Sequence, residues 1–319
     1  MQVPQVSILI PTFNGEGDLA RLIPALDAQE FDGLVERLAI DSSSSDGSVQ
    51  MLRKAGFSVE VIEQSSFGHG ATRNALAAKA RGEWLVFLSQ DATPIGADFL
   101  ARLVGAAKAD GVAGVTARVL PRDSDDALTA RTVLEAPEGS GSSDERRLRG
   151  GVGALAQMSG KERAEILRFN NVASCIRRSV MTALPFPEVP FGEDVAWAAR
   201  ALQAGWSLRH EPSAVVAHAH RYGPVTAYAR YRSDAAFHRE FHGHAVRSSL
   251  FSCLKGIAFE LKSDLAYVRR TGSGWASLLR APFLRTAQVM GQYAGSRGGR
   301  RAWAEARARG AFEPILPRP

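Results

Sequence analysis

Through its first 120 residues the chain alternates short, apolar, β-branched runs with stretches of helical periodicity. VSILIP (6–11) is a continuous apolar run of the kind buried on both faces of a parallel sheet, and a helical pattern follows over 18–29. VERLAID (35–41) predicts a second strand and 46–55 the next helix, with Asp46 or Ser45 as its N-cap. VEVIEQ (59–64), WLVFLS (84–89) and 114–120 predict further strands, separated by helices over 71–80 and 97–108. Strict strand–helix alternation predicts an α/β fold around a doubly wound parallel sheet. Ligands of such a sheet bind outside the carboxyl ends of its strands.

Periodicity is lost over 121–161, where Gly, Ser and charge dominate; this composition predicts a mobile loop or a substrate-binding lid. Order resumes at FNNVASCIRRSV, and EDVAWAARALQAGW (193–206) reads as a helix with acids in its first turn. After HEPSAVVAHAH the remainder, about 224–309, is helical and basic.

Charge sharpens this division. The net charge is +6, but residues 243–319 carry 13 Lys/Arg against 4 Asp/Glu, so the rest of the chain is slightly acidic. Its basic amphipathic stretches suit an anionic membrane surface, or else a helical bundle or second subunit with a solvated basic face. No aromatic–basic module accompanies the charge, which argues against nucleic acid. Cys175 and Cys253 have neither metal-ligand spacing nor the density of a disulfide framework, so a reducing compartment is expected. The N-terminus lacks the pattern of a signal peptide, and no window offers about 18 uninterrupted apolar residues. The expectation is a cytoplasmic protein, peripheral on the inner face of the cell membrane if the basic tail meets lipid.

The informative polar residues fall at strand ends. Pro11, Thr12 and Asn14 close strand one, Asp41 closes strand two, and Ser89, Gln90 and Asp91 close strand four. Three polar ends facing one crevice suit a nucleotide. Neither Gly-x-Gly-x-x-Gly nor Gly-x-x-x-x-Gly-Lys-Ser/Thr follows strand one, so a divalent metal is the expected counter-charge for the phosphates.

PTFNG, IDSSSSDGS, FGHGATRNALAAKARGEWLVFLSQDATP, PFGEDVAWAARALQAGW and HAH, in this order over about 5–245, resemble a family-2 glycosyltransferase. The combination of HG-x-TRN, FLSQDA and ED…HAH is most similar to the rhamnosyltransferase-like subgroup. The resemblance implies a GT-A fold, mostly parallel, with 1–243 as catalytic domain, 121–170 as its acceptor-side loop region, and 244–319 as a basic helical extension. It implies inverting transfer of a sugar, foremost L-rhamnose from dTDP-L-rhamnose, to a hydroxyl of a glycan or lipid-linked glycan. A UDP-hexose donor, or a non-catalytic sugar-nucleotide-binding protein, is the alternative.

Residue by residue, the resemblance implies that Asp41 accepts from the pyrimidine N3–H, that Arg73 and His69 contact the donor, and that Asp91 binds Mg²⁺ or Mn²⁺. Ser89 stands where the usual Asp-x-Asp motif has its first acid, so the metal site lacks one carboxylate and leans on a histidine. Alternation places His218 and His220 on one face, and His218 is the expected ligand. Asp194 is the expected catalytic base with Glu193 beside it, and Trp197 and Asn171 are expected on the acceptor side.

Overall fold

The computed structural model describes residues 3–151 and 153–298, together with Trp303 and Glu305. The rest of the predicted extension beyond 298 lies outside the described residues.

The first half follows the predicted order: β1 (Val6–Thr12), α1 (Glu16–Asp27), β2 (Val35–Asp41), α2 (Ser48–Lys54), β3 (Ser58–Val61), α3 (His69–Lys79) and β4 (Trp84–Leu88). A short β5 (Thr93–Ile95), which periodicity did not reveal, precedes α4 (Phe99–Ala107) and β6 (Val112–Leu120). Then come α5 (Ala127–Leu134), β7 (Asp144–Arg147), α6 (Ala154–Gln157), α7 (Gly160–Ile166), β8 (Ala173–Arg177), α8 (Arg178–Ala183), α9 (Glu193–Gln203) and β9 (Ser207–Ala217). The helices α10 (Pro224–His242), α11 (Leu250–Thr271) and α12 (Ala281–Arg297) complete the described chain.

The sheet runs β3-β2-β1-β4-β8-β6-β9-β5, and β7 pairs with β9. The strands β3, β2, β1 and β4 are parallel, but β8 lies antiparallel between β4 and β6. Strict alternation therefore overstated the parallel character: β6 does not neighbour β4. Nothing in the apolar run ASCIR sets its direction, which comes from the chain's return through the intervening helices. Ile8 and Ile10 face a core under α1, α2 and α4, whereas Leu9 and Phe87 face one under α3, α8 and α9. Each fully buried large side chain contributes about 1.5–3 kcal/mol.

The expected loop over 121–161 is largely built structure. The Asp126 carboxylate caps α5 by accepting from Leu128 and Thr129 N–H, and Ser159 and Glu162 form a capping box on α7. The strand β7, all charged, pairs with β9, while Asp144 binds Arg146 and Arg168. Its stability lies in pairing across the fold, which a period count along the chain does not register.

The C-terminal helices pack on the rest of the molecule. A Cβ on Gly291 or Gly295 would run into the α10 backbone at Tyr228 O and Arg232 O, so these glycines let α12 and α10 approach closely. Asp264 of α11, fully buried, accepts from Arg131 Nε of α5 (2.7 Å) and from Arg285 Nε (2.8 Å) and Nη2 (2.7 Å) of α12. Such a charge cluster fixes register, because a slipped helix would strand an unpaired buried charge. Among the described residues no helix is long and apolar enough to cross a membrane.

Candidate active site

The ends of β1 and β4, the starts of α3 and α9, and the segment after β9 surround one cleft of about 1010 Å³. On the side formed by the β1 and β4 ends, Gln90 clamps the two strand ends together, accepting from Phe13 N (2.8 Å) and donating to Phe13 O (3.1 Å). Pro11 and Thr12 line the cleft, and the buried Thr12 hydroxyl has no protein partner there. Asn14 does not line it. Held at φ 44°, it accepts from Ser45 N (2.9 Å) and so ties the β1 loop to the β2 loop.

Asp41 also departs from expectation. It is completely buried, accepts from Ser44 N (2.8 Å) and Ser44 Oγ (2.6 Å), and is absent from the cleft wall. The sequence shows a strand-end acid but not the serine that folds back onto it, which holds the carboxylate at the base of the β2 loop.

Asp91, His218 and His220 converge. Their ligand atoms lie within 4.8 Å of one another, with Asp91 Oδ2 3.3 Å from His218 Nε2 and 3.6 Å from His220 Nδ1. Both imidazoles reach the carboxylate from one side, as alternation placed them, with the His218 ring nearer and well covered and the His220 ring half-exposed. Burial pushes the Asp91 carboxyl up, but hydrogen bonding and charge from His218, then charge from His220, outweigh it and hold it below the usual range. Burial, then His218, lowers His220, favouring the neutral imidazole that ligates metal. One carboxylate and two imidazoles fit a divalent transition ion such as Mn²⁺ better than Mg²⁺, which prefers oxygen. Arg122, which the motifs did not flag, donates from Nη2 to Asp91 O (2.9 Å) and from Nη1 to Ala219 O (2.7 Å), bracing both halves of the cluster.

The other feature of the cleft is the start of α9. Gly192 precedes it at φ 74°, and a Cβ there would meet the Phe237 ring at 2.5 Å, so only glycine turns the chain here. Glu193 is buried and accepts from Arg73 Nη1 at 2.8 Å. Arg73 therefore braces the acidic pair, although its guanidinium also borders the cleft. Asp194 lies deep among protein atoms yet keeps an edge on the cleft, and accepts from Val195 N (2.8 Å) and Asn171 N (3.3 Å). Burial, then the adjacent Glu193 charge, pushes its carboxyl up to about 7 against those donors and Arg73. A carboxylate poised there exchanges protons near neutral pH, as a general base must. His69 lines the cleft edge-on to Phe67, and burial lowers its pKa so that it stays neutral.

The acceptor-side expectations divide. Asn171 borders the cleft but is buried, and its Oδ1 accepts from Ser174 Oγ (2.9 Å); it positions Asp194 through its backbone N–H. Trp197 is not a stacking platform. It is fully buried against Phe169 and Phe186, and its Nε1 donates to Leu184 O (2.8 Å). One helical turn beyond Asp194, it points inward because α9 turns its apolar face to the sheet. The wall opposite is one the motifs missed: Arg230, Asp234, His238 and His242, at four-residue steps along α10. That i, i+4 stripe was visible in the sequence but matched no expected motif.

Residues 7–158 match the family described as glycosyl transferase family 2. The O-antigen chain rhamnosyltransferase WbaN of Salmonella anatum is 27% identical over 287 residues, covering 86% of this chain and 84% of its own length. RfbN of Salmonella typhimurium, also an O-antigen chain rhamnosyltransferase, is 27% identical over 291 residues, covering 85% and 83%. Among solved structures, the mannosyltransferase PcManGT from Pyrobaculum calidifontis, in complex with GDP-Man and Mn²⁺, matches with TM-score 0.57 at 18% identity, covering 97% of this chain and 89% of that one. TarS 1-349 of S. aureus in complex with UDP-GlcNAc matches with TM-score 0.51 at 16% identity, over 96% and 92%. The fold is GT-A.

Proposed function

From the match of residues 7–158 to glycosyl transferase family 2 and the 27% identity to two O-antigen chain rhamnosyltransferases, we propose that this chain is a rhamnosyltransferase-like member of that family and transfers L-rhamnose with inversion from dTDP-L-rhamnose to a hydroxyl of a glycan or lipid-linked glycan. The observation that carries this reading is that one cleft holds both a carboxylate raised to about 7 and a carboxylate–imidazole trio whose atoms could hold a metal ion.

Asp91, His218 and His220 would hold the divalent ion, Mn²⁺ by ligand type. When bound, the ion supplies Lewis-acid neutralisation of the departing nucleoside diphosphate. Thr12, Gln90 and His69 border the space the donor would fill. Asp194 takes the proton of the acceptor hydroxyl as that oxygen attacks the anomeric carbon, a role that typically contributes about 10²–10⁴-fold. Glu193, clamped by Arg73, keeps the base from ionising too early. The α10 wall offers Asp234 and two imidazoles that burial keeps neutral, a surface suited to the hydroxyls of an acceptor sugar. On this reading the catalytic unit is 1–243, since α10 belongs to the cleft, and 244–319 is appended to it.

The experiment is a thermal-shift screen of nucleotide sugars with and without Mn²⁺ or Mg²⁺, which needs no knowledge of the acceptor. dTDP-L-rhamnose with Mn²⁺ is expected to stabilise most, and Asp91→Ala to abolish the metal-dependent part. A larger shift with UDP-hexoses would replace the donor; a metal-dependent shift unchanged in Asp91→Ala would remove the metal assignment.

A further inference from the structure

We propose that the outward face of α11 docks on an anionic lipid surface. The helix has two distinct sides. Cys253, Gly256, Asp264 and Val268 are buried against the molecule. The opposite side exposes Phe251 (65%), Leu254 (67%) and Phe259 (64%), interleaved with exposed Lys255, Lys262 and Arg269. This face carries no carboxylate. Between 243 and 298 the only acids are Glu260 and Asp264, and both are turned to Arg131 and Arg285. Among the described residues no carboxylate pairs with Lys255, Lys262 or Arg269, and Lys255 lies instead 4.5 Å from the centre of the Phe251 ring. Further along the chain, the segment between α11 and α12 exposes Trp275 and Leu279, and the first turn of α12 exposes Phe283.

Large apolar side chains left in water are costly, and several on one helix mark a surface built to be covered. The charge pattern selects the cover. Protein interfaces are depleted in lysine at their cores, whereas here lysines stand among the rings. Aromatic and leucine side chains inserted at headgroup depth, flanked by cations that meet lipid phosphates, satisfy both groups at once. The inference does not depend on the catalytic assignment, although a lipid-linked acceptor would gain from it.

The test is flotation of the full chain with phosphatidylcholine vesicles, with and without phosphatidylglycerol, at low and raised salt. The chain is expected to float only with phosphatidylglycerol, and to be released as salt rises. A Phe251→Ser, Leu254→Ser, Phe259→Ser variant and a separate Lys255→Glu, Lys262→Glu variant are each expected to lose at least about tenfold in vesicle partitioning. All five side chains are exposed, so melting temperatures should stay near wild type; should the apolar variant fail to fold, the charge variant decides. Three results would overturn the proposal: no flotation of wild type on phosphatidylglycerol, flotation unchanged in the charge variant, or a dimer by light scattering that the apolar variant dissolves while vesicles bind neither form. Donor-induced thermal shift, measured on the same samples, reports separately on the catalytic reading.

Discussion

Asp194→Asn keeps the shape of the side chain and removes its charge, and the consequences for stability and turnover are opposite. The folded protein raises the Asp194 carboxyl from 3.8 to about 7, through burial first and Glu193 second. At about 1.4 kcal/mol per pH unit, this corresponds to about 4 kcal/mol against the ionised form, an upper bound because cleft water reaches one edge. The folded value lies above the unfolded one, so the penalty is absent below about pH 4, grows through about pH 7 and is constant above. Asparagine offers a single acceptor oxygen to the N–H groups of Val195 and Asn171, a loss of about 1 kcal/mol. The variant should therefore gain about 1–3 kcal/mol near pH 8, about 2–6 °C in Tm for a chain of this size, and gain nothing near pH 4. Turnover should fall about 10²–10⁴-fold, and wild-type turnover should rise with pH through about 7 as the base ionises. Melting curves by circular dichroism and nucleoside diphosphate release read the two effects. Coincident melting curves near pH 8 would refute the account of the raised carboxyl, and unchanged turnover would remove Asp194 from the base role.

The buried pair beneath it can be tested by unpairing. Arg73→Met leaves Glu193 buried without a counter-ion and should cost about 3–5 kcal/mol in urea unfolding; adding Glu193→Leu should recover most of that, and a double variant no more stable than the single would contradict the pairing. Gly192→Ala forces a side chain into φ 74° and into the Phe237 ring, so it should cost about 1–3 kcal/mol and displace the acidic pair, with loss of turnover at unchanged metal binding. Wild-type turnover in that variant would show that the α9 entrance tolerates another conformation.

Much of the fold was legible along the chain because its signals are local. VSILIP, VERLAID and WLVFLS announce buried strands through their own residues, and strand-end polar groups mark the crevice by position alone. The predicted boundaries of β1, β2 and β4 fall within a residue of those observed. The ED pair and the HAH segment likewise stand out as polar residues where a helix begins and a strand ends.

What the sequence left open depends on partners distant in the chain. The direction of β8, the order within 121–161 and the pairing of β7 with β9 rest on contacts that no period encodes. Side-chain direction is decided the same way. Trp197 turns into the core and Asp41 is closed in by Ser44, each because of where neighbouring backbone leaves space or a donor. The basic tail is the clearest case. Its composition fits packing and lipid equally, and only burial of Asp264 against Arg131 and Arg285 separates an inner face from an outer one. Sequence fixes which chemistry is present and on which element; tertiary structure decides which groups meet, because burial and hydrogen bonding are properties of proximity in space.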